Sequence, residues 1–198
     1  MPDVREPIKQ TSIEKKRKII QAGLKLISEK GYFKTNTAEI AKEAGVSTGI
    51  VYQYFKDKKD ILLYAVKEYF DNIFEPIEIK MKSINPKENL EYTLKELIIS
   101  SIDAHTKYSL AHEEMIAMSH LDEDIHNMFI ESEHKIVDKV LVFLESVGIN
   151  GPHMHKKVHI MYNLIESLCH EYVYHKHSFI DYDYTIDETI RLIKTLLE

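Results

Sequence analysis

Apolar residues recur three and four positions apart along almost the whole chain, while strict alternation of apolar and polar residues is rare and short. Spacing near 3.6 residues puts one apolar stripe on a helix, so the pattern predicts an all-α protein. Thr11 followed by Glu14 has capping-box spacing and predicts the start of a first helix, with Ile13, Ile19 or Ile20, Leu24 and Ile27 on its apolar face and Gly31 as its left-handed end. Thr37 is expected to cap a short helix, AEIAKEA, stopped by Gly45, and Ser47 to cap the next, TGIVYQYF. Asp57 and Asp60 have the spacing that opens a long fourth helix, from about Lys58 into the seventies, with Pro76 and Asn85-Pro86 as punctuation.

Further helices are expected at about 87–106, 108–119, 123–147, 152–176 and 186–198, the last opened by Thr185 and Glu188 as a capping box. The organisation this implies is a three-helix N-terminal helix-turn-helix domain over residues 1–57 and a larger helical body over 58–198.

Charge sharpens that division. Residues 1–60 carry 13 Lys and Arg against 8 Asp and Glu, whereas the rest carry 13 against 24, so a basic head precedes an acidic body. Such a head suits a polyanion. No apolar run approaches the roughly 20 residues that span a bilayer, and the start, MPDVREPIKQ, lacks the apolar core of a secretory signal. The single cysteine, Cys169, excludes an intramolecular disulfide. These features predict a cytoplasmic protein without a membrane partner.

Two short helices joined by a turn of about three residues, with glycine in that turn, make a helix-turn-helix. Ala41 is small where the helices would cross, and Ile40, Ala44, Val46, Val51 and Phe55 are expected to lock the crossing. Gln53 can pair with adenine, Thr48 can reach a base edge, and Gly49 permits close approach of the backbone. Tyr52 and Tyr54 can bring hydroxyls to phosphate oxygens, and Thr37, Ser47 and Lys58 sit at helix N-termini, where an anion is favoured. The purely structural alternative makes one of the two tyrosines core and Thr37 and Ser47 mere caps.

The block TAEIAKEAGVSTGIVYQYFKDKKDIL resembles the DNA-binding region of the TetR (tetracycline repressor) family, including the short second helix, the AG turn and the YxYFxxKxxL ending. The preceding IEKKRKIIQAGLKLISEKGYFKTNT is similar to that family's first helix and its approach to the second. The likeness covers roughly residues 13–64. It implies a homodimer on double-stranded, palindromic operator DNA, usually a repressor, with Thr37, Ser47, Thr48, Gly49, Tyr52, Gln53, Tyr54 and Lys58 at DNA-facing positions. Ile50 departs from the small or polar residue common there. The resemblance further implies dimerisation through the last two long helices and a small-molecule effector held by the body.

The residues permit both. Met154, Val158, Met161, Ile165, Leu168 and Tyr172 form one stripe, and Ile186, Ile190, Ile193, Leu196 and Leu197 another. Tyr92, Met115, Met118, Phe143, Tyr162 and Glu166 are adaptable or amphipathic side chains that could line a pocket for a largely apolar molecule, Glu166 serving as counter-charge if that molecule is a cation.

All 11 histidines lie after residue 100, and His155, His159, Tyr162, Glu166 and His170 share one face of a helix. A metal-responsive regulator using the His-rich helix 153–177 is thus an alternative, as is an activator. An enzyme is not expected. Glu123/His126 and Glu131/His134 match E-x-x-H but fall on one helix, where a di-iron site needs two. His170 and His175 are five apart, which on a continuous helix turns the rings away from each other. No nucleophile elbow, P-loop or dinucleotide glycine pattern appears, so no cofactor is expected.

Overall fold

The computed structural model describes Pro7, residues 9–83 and residues 90–198; the expected break at Asn85-Pro86 lies outside them. Regular structure among the described residues is entirely helical: α1 (Gln10–Lys30), α2 (Thr37–Glu43), α3 (Thr48–Tyr54), α4 (Lys58–Ser83), α5 (Leu90–Lys107), α6 (Ser109–Ser119), α7 (Glu123–Ser146), α8 (Met154–Tyr174) and α9 (Tyr182–Leu197). Among these residues no helix is long and apolar enough to cross a membrane.

Three helix starts differ from the sequence expectation. Helix α1 begins one residue before Thr11, behind Lys9, which makes no side-chain cap. Asn36, not Thr37, caps α2: its Oδ1 accepts the Glu39 N–H at 3.0 Å, and Glu39 Oε2 accepts the Asn36 N–H at 3.1 Å. The capping box is present but shifted by one, because the short Asn side chain is an efficient cap acceptor. Helix α9 starts at Tyr182, where Asp181 Oδ1 accepts the Tyr184 N–H at 3.1 Å. Thr185 lies inside the first turn and donates its hydroxyl to the Asp181 carbonyl at 2.9 Å.

Helix α4 also runs through Pro76 rather than stopping there. Proline has no N–H for the carbonyl four residues earlier, so the turn starting at Asn72 lacks one rung. The chain divides into two compact units at that same place. The first comprises residues up to Asp71 with Tyr108–Ile130, and the second Asn72–Lys107 with Glu131–Glu198.

In the first unit, Ile19, Ala22, Ile40, Ala41, Val51, Phe55 and Ile61 form a core shared by α1, α2, α3 and α4. Gly23 permits this: a Cβ there would stand 2.8 Å from Ile61 Cγ2. Lys16 is buried with its ammonium donating to the Tyr64 hydroxyl at 3.0 Å and lying 4.1 Å from the centre of that ring. Tyr69 of α4 is fully buried and hydrogen-bonds His112 of α6.

The second unit buries Ile98 of α5, Val137 of α7, Val158, Met161 and Leu168 of α8, and Ile186, Ile190 and Ile193 of α9. The apolar stripes of α8 and α9 recognised in the sequence therefore face their own unit's core.

Candidate nucleic-acid interface and apolar cavity

Helix α2 ends in a tight left-handed turn. Gly45 has φ +68°, its N–H donates to the Lys42 carbonyl at 3.1 Å, and the Val46 N–H reaches the Ala41 carbonyl at 2.9 Å. This pair of bonds is the Schellman arrangement, and it satisfies carbonyls that a helix end otherwise leaves unpaired. It also aims α3 away from α2 at a set angle.

Helix α3 is two-faced. Val51, Tyr54 and Phe55 are buried against Ile40, Ala41 and Ile19, at the i, i+3, i+4 spacing of a helix stripe. Ser47, Thr48, Gly49, Tyr52 and Gln53 are exposed, the last four falling on the opposite side of the same two turns. A Cβ on Gly49 would meet only Ser47 Oγ, at 3.9 Å, so internal packing does not demand glycine there. Ser47 is exposed and makes no side-chain capping bond. Thr37 is half-buried at the first position of α2.

Two sequence expectations are corrected. Tyr54 is 8% exposed and belongs to the core, so its ring supports α3 from behind. Lys58 is tied inward: its ammonium donates to the carbonyls of Tyr32 at 2.8 Å and Thr35 at 3.0 Å, and sits 3.9 Å from the centre of the Tyr32 ring. Burial lowers its pKa, partly offset by the Glu114 carboxylate. A lysine sharing its donors between two carbonyls is a tether for the α1–α2 turn.

The same turn is held from its other side. Its Tyr32 N–H donates to Glu114 Oε2 of α6 at 3.2 Å, and Thr35 Oγ1 donates to the Gly31 carbonyl at 2.9 Å. Sequence reasoning passed over Lys34 and Lys56, exposed cations flanking this turn and the end of α3. Their position beside the helix-turn-helix was the available signal.

The second unit contains a cavity of about 80 Å³. It is lined almost wholly by apolar side chains, among them Ile73, Phe74, Leu94, Val140, Met161 and Ile165. Of the pocket residues expected from sequence, Phe143, Tyr162 and Glu166 border it. The others do not. Tyr92 is 53% exposed on α5, and Met115, with Met118 on α6, belongs to the first unit, where Met115 is fully buried. Adaptable side chains fill a core as readily as they line a pocket. Burial raises the Tyr162 hydroxyl pKa well above its usual value, with the nearby Glu166 and Glu133 charges adding to it.

The histidine row on α8 pairs with carboxylates of α7. His159 Nδ1 lies 2.8 Å from Glu133 Oε1, and His155 Nε2 lies 3.9 Å from Asp138 Oδ1. Among the described residues, no group of three or more His, Cys, Asp or Glu side chains could hold a metal. The divergence expected of His170 and His175 does not occur. Helix α8 ends at Tyr174, His175 leaves it with φ −131° and ψ 34°, and the two rings come to 5.3 Å between centres.

These features define a helix-turn-helix domain followed by a helical unit with an internal apolar cavity. Residues 19–65 match the profile of bacterial regulatory proteins of the tetR family. This region is similar to the HTH-type transcriptional regulator HbdR of Aromatoleum sp. (strain CIB), 44% identical over 78 residues, which are 39% of this chain and 34% of that protein. The fatty acid metabolism regulator protein of Bacillus subtilis (strain 168) is 38% identical over 79 residues, 39% of this chain and 41% of that protein. The matched stretches thus span well under half the length of these curated relatives. The fold extends further: the crystal structure of a protein of Mesorhizobium loti MAFF303099 assigned to the TetR family superposes with a TM-score of 0.76 at 19% identity, covering 96% of this chain and 98% of that one.

Proposed function

We propose that this chain is a ligand-responsive transcriptional regulator of the cytoplasm that binds a palindromic operator as a homodimer and represses until an effector occupies the cavity of its second unit. The observation carrying this reading is the exposed face of α3, where Thr48, Gly49, Tyr52 and Gln53 project from a helix whose other face is locked in the core. A rigid helix with a polar, small and aromatic outer face suits a major groove. Gln53 and Thr48 are assigned to base edges. Ser47, Thr37 and Tyr52, with Lys34 and Lys56, are assigned to phosphates. Residues 1–57 supply all of these groups.

The homodimer is assigned to the outer faces of α8 and α9, which carry the exposed apolar side chains Ile160, Tyr184 and Leu192. The effector site is the apolar cavity, and a relative named for fatty acid metabolism supports an aliphatic effector. Helix α4 supplies both Lys58, at the helix-turn-helix, and the cavity-lining Phe74, Ile77 and Met81. An effector weakens DNA binding only by the difference of its affinity between the two conformations, and α4 is the element common to both sites.

A gel-shift assay with the DNA upstream of the chain's own gene is the direct test. Binding that weakens steeply with added salt is expected. Indifference to every such duplex at low ionic strength would overturn the reading, and a reporter gene would separate repression from activation.

A further inference from the structure

Among the described residues that line the cavity of the second unit, Glu166 is the one carboxylate. Its Oε2 lies 3.3 Å from Nε2 of His105, an imidazole that is 1% exposed and whose Nδ1 lies 2.8 Å from the Ser101 carbonyl. With Nδ1–H given to a carbonyl, protonation at Nε2 converts the contact with Glu166 into an ion pair. Burial pulls the His105 pKa down, but the hydrogen bond and charge of Glu166 outweigh it, and the net shift is upward. When His105 is protonated, its Nε2–H is the cation that faces Glu166.

The cavity is elongated. Along α5 its lining runs from Leu90 to Ser101, a rise of about 16 Å at 1.5 Å per residue. Met81 and Phe143 also line an open groove beside Lys82 and Lys139. A carboxylate beside Ser101 in an otherwise apolar lining disfavours an anionic head at that place, because like charges repel.

Resting on the effector reading above, we propose that this cavity takes a single-chain amphiphile with a cationic head, which replaces the protonated imidazole of His105 on Glu166. The charge count is unchanged: one cation enters, the His105 proton leaves to solvent, and the neutral imidazole keeps its bond to Ser101. Among the groups facing His105 are Ser101 on its own helix and Glu166 of α8. Tyr162 and Cys169 on α8 share the field of Glu166, and Glu133 of α7 acts on Tyr162. The charges that α9 and α4 bring to α5 meet it elsewhere, as Asp187 with Lys95, Lys194 with Glu91, and Lys80 with Glu96.

Three probes with the same ten-carbon tail test this by calorimetry on the full chain: decyltrimethylammonium, decanol and decanoate. The cation is expected to bind on the order of tenfold tighter than the alcohol, with decanoate weakest. Because its charge is fixed, any proton released comes from the protein, and near neutral pH the binding heat should differ between Tris and phosphate buffers. Glu166→Gln should remove the cation preference while leaving decanol binding, and His105→Gln should keep the preference but abolish proton release. Decanoate binding best, or a cation preference unaltered in Glu166→Gln, overturns the inference while the cavity remains the effector site. Binding of none of the three overturns both, and the gel shift reports separately on DNA binding.

Discussion

The ammonium of Lys58 donates to the carbonyl oxygen of Tyr32 at 2.8 Å, joining the first residue of α4 to the turn that leads into α2. A lysine at a helix start is disfavoured by the dipole unless an anion or its equivalent compensates. Here the compensation is internal, from two carbonyls and an aromatic face. This contact changes what substitution of Lys58 should report.

Lys58→Met is expected to destabilise the first unit by about 1–3 kcal/mol, since it leaves two acceptors without their donor. Denaturant unfolding measures this directly. The salt slope of DNA binding should stay as it is; a slope reduced by about one with unchanged stability would show a phosphate contact instead.

Gln53→Ala should leave unfolding unaltered, because the side chain is exposed. It is expected to relax sequence preference at one base pair per half-site, by about 1–3 kcal/mol. Selection from a randomised duplex pool compares the two proteins, and an identical consensus would remove Gln53 from base recognition.

Gly31→Ala meets two obstacles. The residue has φ +88°, and an added Cβ would press into the Glu114 carboxylate. A loss of about 1–3 kcal/mol is expected. In a Glu114→Ala background the clash disappears and only the backbone cost remains, so a double-mutant cycle should show positive coupling. Strict additivity would place Glu114 outside this contact.

Pro76→Ala restores the missing rung to Asn72 at an exposed position of α4. Stabilisation of about 1–3 kcal/mol is the expected outcome of a thermal melt. No gain would mean that the backbone there is already relaxed around proline.

The pH dependence of the second unit should carry a signature of His105. Its folded pKa lies above the unfolded value near 6.5, so its contribution is fully present below that value and fades as pH rises through the folded pKa. Stability curves of the wild type and His105→Gln should therefore converge as pH rises through neutrality. Curves parallel from pH 5 to 9, a range on the order of the histidine window, would contradict the shift.

Much of this was legible in residue order alone. Helix spacing runs locally along the chain, so the succession of helices and the turn at Gly45-Val46 follow from apolar periodicity and a glycine that accepts positive φ. The stripe Val51, Tyr54 and Phe55 even carries the signal that Tyr54 is core, although its hydroxyl suggested a phosphate contact. The tertiary structure alone decided three matters: that Lys58 turns inward to Tyr32 and Thr35, that Met115 packs in the first unit while Met161 lines the cavity, and that His105 meets Glu166 across 61 positions. Each depends on which helices lie side by side, and contacts between residues distant in the chain leave no periodic trace in the sequence.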